Sequence, residues 1–273
     1  MTRSFFENVY NCLLITDPAE KVSTTYQCFD DYHSGKLVIS NTEPAKTIPV
    51  PGRPDRPILV DARKVPKRTM NSVKGRVVLA HAIAHIEFNA INLALDAAYR
   101  FRHMPAPFYA DWLKVAKEEA EHFSLINDYL KNHDHQYGDF EAHNGLWEMA
   151  LKTDSSVLER MALVPRVLEA RGLDVTPGMI DKLTAAGDIE LVECLKIIHK
   201  EEIGHVAIGS HWFKYSCEEQ GVEPRQTFLN LLKQEHVKNA VRGPYDEWSR
   251  IQAGFTEDEI QDLKSLEVSR NKR

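Results

Sequence analysis

The sequence EEIGHVAIGSHWF, residues 201–213, decides the fold because it places a Glu and a His three residues apart on an apolar helical face. Positions three and four apart lie on one side of a helix. On that rule an apolar stripe runs from Leu191 to Trp212 and is interrupted only by Glu202 and His205. Such a stripe normally faces the core. Because an ionised carboxylate is costly to bury alone, this helix predicts a cation nearby.

Three other predicted helices carry related carboxylates. Apolar periodicity predicts long helices at about 72–102, 107–132, 155–171 and 188–218. The first has an apolar face interrupted only by Glu87, and the second carries Glu119 and His122 within EEAEHF, residues 118–123. Glu87 precedes Glu119 by 32 residues, and Glu169 precedes Glu202 by 33. This repeated interval indicates Glu169 as the carboxylate of the third helix.

Two single carboxylates and two Glu-x-x-His pairs on four helices are the ligand set of di-iron and di-manganese carboxylate bundles. The sequence therefore predicts an all-α, ferritin-like four-helix bundle with two metal ions. The four carboxylates are balanced by two divalent cations, and oxygen-rich ligands with imidazole favour iron, or alternatively manganese or a mixed pair. The six predicted ligands are Glu87, Glu119, His122, Glu169, Glu202 and His205.

Several longer runs carry a family resemblance. They are HAIAHIEFNAINLALDAAYRF, EEAEHF, HNGLWEMALKT, MALVPRVLEARGLDVTPGMI and EEIGHVAIGSHWF. They resemble the bacterial family catalogued as domain of unknown function 455, which is placed among the ferritin-like proteins, over about residues 51–221. The resemblance implies a metal site at the same six residues, with Glu119 and Glu202 bridging, and implies no substrate. Pro165, four residues before Glu169, departs from the pattern and predicts a kinked third helix.

The remaining chain is predicted to form shorter elements. Residues 1–43 indicate two helices, the second capped by Asp17, and six of the thirteen prolines between residues 44 and 66 indicate an extended connection. A further short helix is expected at 146–152, and another is expected to open at Pro177 with Thr176 as its cap. Beyond residue 221, one or two helices are expected before a charged tail. The predicted organisation is an N-terminal helical and Pro-rich arm, 1–71, the bundle, 72–220, and a C-terminal helical extension, 221–273.

Most other histidines are expected to play supporting roles. His81 and His85 are predicted to pack between helices or to support the ligands rather than to bind metal, because His85 points away from Glu87. His199, three residues before Glu202, is predicted to support the ligands, with ligation as the alternative. The connection after the second helix contains three histidines that are expected to be exposed, and Asp154 is expected to cap the third helix. These three are His133, His135 and His143.

A basic segment precedes the first long helix. Residues 53–76 hold eight basic and two acidic side chains, a local charge of +6 that leaves the rest of the chain at −12. An anionic substrate or an RNA could dock there, but a solvated basic linker is the favoured interpretation. The residues considered for anion binding are Arg53, Arg56, Lys67 and Arg68.

The distribution of charged residues and cysteines indicates where the protein is expected to be located. The longest stretch without Asp, Glu, Lys or Arg, residues 203–213, is too short to cross a bilayer, and no secretory signal is expected. The four cysteines show neither metal-site nor disulfide spacing, which predicts a cytoplasmic protein. The leading hypothesis is an oxidoreductase that activates O2 or peroxide, acts on a small molecule and uses an external reductant. The alternatives are ferroxidase or peroxide-scavenging activity without an organic substrate, and an RNA- or protein-interaction module with a structural metal. The sequence predicts no oligomeric state.

Overall fold

The computed structural model describes residues 3–40, 43–234, 237 and 241–271, and it confirms an all-α fold. The chain forms two compact units, residues 1–151 and residues 152–273. The described strands are two short parallel ones in the first unit, β1 (Arg3–Ser4) and β2 (Leu37–Val38), and the sequence did not predict them. The predicted division into an arm, a bundle and an extension stays a prediction.

The first unit is built on two long helices joined by a short connection. Its helices are α1 (Phe5–Leu14), α2 (Pro18–His33), α3 (Val73–Arg100), α4 (Ala106–Asn132) and α5 (Gly145–Lys152). These bounds confirm the predicted helices. Asp17 caps α2 by accepting from the Glu20 N–H at 2.8 Å, and Ser72 caps α3 by accepting from the Gly75 N–H at 3.1 Å.

Helix α3 is the core of this unit. It is long and apolar enough to cross a membrane by length and composition, with a mean hydropathy of 1.4 in its most apolar window. Within the protein, however, 89% of that window is buried, as is typical of a core helix. Because only residues 101–105 separate α3 from α4, the two helices pack side by side as antiparallel neighbours.

Lys21 is a fully buried cation that ties three helices of this unit together. Its Nζ donates to the carbonyl oxygens of Leu13 at 2.8 Å and Cys12 at 3.4 Å, both in the last turn of α1. It also donates to Asn92 Oδ1, on α3, at 2.6 Å. Burial lowers the pKa of Lys21 to about 7. The positive end of the side chain therefore satisfies the C-terminal carbonyl groups of α1 at a cost in desolvation.

The second unit contains one helical run that changes its geometry in the middle. Its elements are α6 (Val157–Leu163), a π-helix (Val164–Glu169), α7 (Ala170–Ala185), α8 (Ile189–Glu219), α9 (Pro224–Leu232), α10 (Glu247–Gln252) and α11 (Glu257–Asn271). The prediction for α8 is confirmed, and Asp188 caps it by accepting from the Leu191 N–H at 3.3 Å. The kink predicted at Pro165 takes the form of the π-helix, where the backbone has the wider i to i+5 spacing.

Three local predictions for this unit were wrong. The third helix does not end near residue 171 but continues to Ala185, so Thr176 lies inside α7 and its hydroxyl donates to the Gly172 carbonyl at 2.8 Å. Pro177 is accommodated within the same helix. Asp154 is not the cap of α6, because Ser156 Oγ accepts from the Glu159 N–H at 3.2 Å. The described part of the C-terminal region contains three helices, where one or two were predicted, and residues 272–273 of the predicted tail lie outside the described residues.

The π-helix packs closely against α8 at a glycine. A Cβ built on Gly209 would lie 2.2 Å from Cγ and 2.3 Å from Cβ of Pro165. Both distances are far below van der Waals contact, so no side chain fits at position 209 unless one of the two helices moves. Glycine at this position therefore allows the Pro165 ring to rest on the α8 backbone.

A buried arginine organises the C-terminal helices of the second unit. Arg166, in the π-helix, donates to Glu259 Oε1 at 2.7 Å. Its guanidinium carbon also lies 4.2 to 4.7 Å from the centres of three aromatic rings. These rings belong to Phe213, Phe228 and Phe255. The ion pair and the rings together connect the π-helix to α8, α9 and the start of α11.

Candidate metal centre

Three predicted ligands come together in the first unit. His122 Nδ1 lies 3.4 Å from Glu87 Oε2 and 3.4 Å from Glu119 Oε2. The α3 register places Glu87 on the side that faces α4, and the i to i+3 spacing on α4 places Glu119 beside His122. The His122 and Glu119 side chains are fully buried, and Glu87 is 5% exposed. Two carboxylates and one imidazole nitrogen therefore face one another in a dry part of the core.

The electrostatics of this group favour a cation. Burial opposes a charge on His122, but Glu119 and Glu87 outweigh burial and raise the pKa of His122 well above its ordinary value. The imidazole therefore takes up a proton, which offsets part of the charge of the two carboxylates. A divalent ion supplies more positive charge at the same place, and because it needs the neutral imidazole, its binding releases that proton.

The second unit repeats part of this arrangement. His205 Nδ1 lies 3.6 Å from Glu202 Oε1, again with i to i+3 spacing, on α8. The His205 side chain is fully buried and that of Glu202 is 12% exposed. The π-helix ends at Glu169, which is half-buried. The second unit thus presents the expected residue types, with a Glu-x-x-His pair on one helix and a single Glu on another segment.

Each unit contains a largely buried Glu-x-x-His pair whose residues could hold a metal ion. The pairs are Glu119 with His122 in the first unit and Glu202 with His205 in the second. Glu87 lies beside His122 in the first unit, and Glu169 is not one of these four residues. Carboxylate oxygens and imidazole nitrogens, without thiolate, are the ligands that suit iron and manganese in proteins. The donor set therefore fits the two predicted metal ions in chemistry.

His81 and His85 hold the loop that follows α4. His81 Nε2 accepts from the Gly138 N–H at 2.9 Å. His85 Nε2 lies 3.0 Å from the His143 carbonyl oxygen, which can only accept, so Nε2 carries the proton and Nδ1 accepts from the Tyr137 hydroxyl at 2.9 Å. Burial lowers the pKa of both imidazoles to about 4. Both side chains are therefore neutral anchors of the loop, and the packing role predicted for them agrees with these contacts.

The sequence did not single out Tyr137, although its phenol is the partner of His85. It lies in the irregular connection between α4 and α5, where helical periodicity gives no signal. Its ring packs at centroid distances of 5.3 Å from Phe88 and 5.2 Å from Phe123. The three rings form one aromatic group between α3, α4 and the connection that follows α4. The predicted exposure of the three histidines in this connection was wrong, because each is half-buried.

His199 points toward a different group of the second unit. Its Nε2 lies 3.9 Å from Asp246 Oδ2 and 3.5 Å from Ser249 Oγ. Asp246 lines an open groove of about 590 Å³ with Pro177, Met179 and Tyr245, among other residues. His199 is therefore within reach of one residue that lines this groove. Its supporting role stays a prediction.

The residues considered for anion binding lie on the extended segment before α3. Arg53 is half-buried and donates to the Pro54 carbonyl oxygen at 3.3 Å. The other three side chains are exposed. They are Arg56, Lys67 and Arg68. The anion-binding role of these four residues stays a prediction.

Comparison with known proteins adds a family and a relative. A family model described as "Protein of unknown function (DUF455)" matches residues 14–261. An uncharacterized protein of Haemophilus influenzae (strain ATCC 51907 / DSM 11121 / KW20 / Rd) is 42% identical over 273 residues. That match covers 96% of this chain and 94% of the relative. No solved structure matches the chain significantly.

Proposed function

We propose that this chain, which belongs to the family of proteins of unknown function DUF455, is a ferritin-like di-metal carboxylate protein that activates dioxygen or peroxide. The observation that carries the proposal is the buried group in the first unit, where Glu87 and Glu119 both lie 3.4 Å from His122 Nδ1. Buried carboxylates are retained where they bind a cation or a partner of opposite charge.

The second unit supports a site with two ions. Its Glu202 and His205 repeat the spacing and burial of Glu119 and His122. With Glu87 and Glu169 the set contains four carboxylates and two imidazoles, which two divalent ions would bring to neutrality. We propose iron as the metal, with manganese or a mixed pair as alternatives, because oxygen ligands with one imidazole per ion are typical of these metals.

Bound at these residues, two redox-active ions would supply the electrons with which dioxygen or peroxide is activated. The chain's own residues have simpler tasks. Glu119 with His122 on α4, and Glu202 with His205 on α8, would hold the ions. The side chains of Glu119 and His122 are fully buried, so the first-unit part of the proposed site is dry. A dry, rigid surrounding strengthens every charge interaction within the site.

We further propose that the reaction is the oxidation of a small organic molecule and that an external reductant returns the metals to the reduced state. The cytoplasmic location and the absence of a membrane partner stay predictions of the sequence. Ferroxidase or peroxide-scavenging activity, and a structural metal in an interaction module, are the competing functions that the following experiments distinguish.

The first experiment measures metal content. The purified chain is loaded with ferrous iron without oxygen, and bound iron is counted by elemental analysis and electron paramagnetic resonance. We expect two ions per chain and at least about a tenfold loss of affinity in Glu119→Gln. The matched control is Glu121→Gln, two residues along the same helix and exposed. Equal iron content in wild type and Glu119→Gln, or bound zinc that cannot be replaced by iron, would reject the site.

The second experiment measures what the loaded protein does. Admission of air should produce oxygen uptake and an absorption band of oxidised, oxygen-bridged iron. An oxidoreductase needs an added reductant for repeated turnover, whereas a ferroxidase consumes oxygen in proportion to the iron supplied and accumulates ferric mineral. Iron that stays inert to air and peroxide would leave a structural metal as the function of the site.

A further inference from the structure

The basic segment, residues 53–76, is a concentration of positive charge that the proposed metal chemistry does not use. Its local charge of +6 contrasts with −12 over the rest of the chain. Most of it is extended chain without helical hydrogen bonds, since α3 begins only at Val73. The segment therefore presents its cations along the surface of the first unit and not within a pocket.

Most of these cations are not neutralised within the protein. Arg63 pairs with Asp61 at 2.9 Å. Five other cations of the segment are exposed and form no ion pair with a described carboxylate. These are Arg56, Lys64, Lys67, Arg68 and Lys74. Exposed lysines on the helices, in contrast, often pair with a neighbouring acid, as Lys114 does with Glu118 at 2.9 Å.

The segment is held in place although it is extended. The Val60 N–H donates to the Ala142 carbonyl at 2.8 Å, and the Ala142 N–H donates to the Ile58 carbonyl at 3.1 Å. A Cβ on Gly138 would lie 3.0 Å from Cβ of Arg56, so the segment also touches the loop that His81 anchors. A preformed surface loses little conformational entropy when a partner binds.

The composition of the segment distinguishes between classes of polyanion. No Phe, Tyr or Trp occurs between residues 33 and 87, so no ring is available there to stack on a nucleic-acid base. Exposed aliphatic side chains lie within or beside the segment instead, including Val50 at 61%, Ile58 at 52% and Val73 at 57%. Cations mixed with aliphatic side chains are typical of protein interfaces.

We propose that the basic segment is a docking surface for an acidic surface of another protein. The exposed cations steer the partner and set its orientation, and the aliphatic side chains supply the contact area. Because charges at the rim of an interface act mainly on the association rate, the complex is transient and weakens as salt is added. A second copy of the same chain is a poorer partner. If the basic segment of one copy bound an acidic face of the next, the contact would be head-to-tail, and it would build an open chain of copies unless it closed into a ring.

The test uses the full chain and a fluorescent polyglutamate peptide of about 20 residues as the probe. We expect binding that weakens at least about tenfold between about 50 and about 300 mM salt. A variant with Arg56, Lys64, Lys67 and Arg68 all changed to Gln should bind at least about tenfold more weakly. The matched control changes four exposed helical lysines to Gln, with the same loss of charge, and should bind within about twofold of wild type. These four are Lys114, Lys131, Lys152 and Lys196.

Several results would overturn the proposal. Equal weakening in both variants would show that only net charge matters. Tighter binding to a DNA or RNA duplex of equal charge, or to phosphatidylglycerol vesicles, would assign the surface to another class of partner. Self-association that disappears in the basic-segment variant would assign it to a second copy of the chain. Circular dichroism checks that both variants fold, and none of these measurements requires bound metal, so the outcome is independent of the proposed function.

Discussion

Replacing Gly209 by alanine tests how the π-helix is held against α8. The added Cβ would lie 2.2 Å from Cγ of Pro165, so the ring or a helix must move by about 1 Å to reach ordinary contact. Neither neighbour is the end of a flexible side chain, because the Pro165 ring is closed on the backbone of the π-helix. Overpacking of this kind costs about 1–3 kcal/mol. The better helix propensity of alanine returns about 1 kcal/mol, so we expect a net loss of up to about 2 kcal/mol.

The assay is urea and thermal unfolding of Gly209→Ala beside Gly204→Ala, a matched control on the same helix. A Cβ on Gly204 meets no atom within 4 Å, so this control should be stabilised by up to about 1 kcal/mol. The two substitutions are therefore expected to shift the unfolding midpoint in opposite directions. Equal or greater stability of Gly209→Ala than of wild type would refute the close packing of Pro165 on α8.

A second measurement separates stability from ligand position. Pro165 lies one turn before Glu169, and Gly209 lies one turn after His205, so a forced separation of the two segments displaces one proposed ligand relative to another. We expect iron affinity to fall at least about tenfold in Gly209→Ala. Unchanged iron binding together with the expected loss of stability would show that the packing supports the fold but not the metal site.

Two further substitutions test buried charges. Lys21→Met should reduce the pH dependence of the free energy of unfolding. Between pH about 7 and 10.5 the unfolded chain holds the Lys21 proton more tightly than the folded chain. The free energy of unfolding of wild type therefore rises with pH over this range. Below about pH 7 Lys21 is protonated in both states, so its contribution is constant. Urea unfolding at about pH 6 and about pH 9 should show a smaller rise in the free energy of unfolding for the variant than for wild type. An identical rise would contradict the lowered pKa of Lys21. Glu259→Ala leaves Arg166 buried without its carboxylate partner, and it should lower the free energy of unfolding in urea by about 3–5 kcal/mol. The control Glu257→Ala, at an exposed position, should lower it by less than about 0.5 kcal/mol.

The long helices could be predicted from the sequence because the apolar periodicity and the N-capping residues indicate the same segments. The stripes on α3, α4 and α8 mark one buried face, and Ser72 and Asp188 mark two of the helix starts. The contact of Glu87 with the pair on α4 follows from the same reasoning, because a short connection makes α3 and α4 neighbours. A buried carboxylate on an apolar stripe was therefore a sufficient signal that Glu87, Glu119 and His122 lie together in the first unit.

The course of the third helix could not be predicted in the same way. Gly172 and Pro177 indicate a break, but a helix interior tolerates a proline when its surroundings compensate for the one lost hydrogen bond. Thr176 can cap a helix or donate to a carbonyl one turn earlier, and only packing decides between these roles. The π-helix also changes the phase of the residues that follow it, so the direction of Glu169 cannot be obtained by counting at 3.6 residues per turn.

The π-helix between Val164 and Glu169 also makes chain length a constrained property of the second unit. A π-turn holds about one residue more than an α-turn over the same rise. Deleting one residue there would let α6 and α7 join as a continuous α-helix. Because the extra residue is taken up within one turn, the part after the deletion would keep its orientation relative to the part before it. A one-residue gap within 164–169 is therefore a length change that leaves α7 in place, whereas a gap within α6 or α7 would rotate the residues beyond it by about 100°.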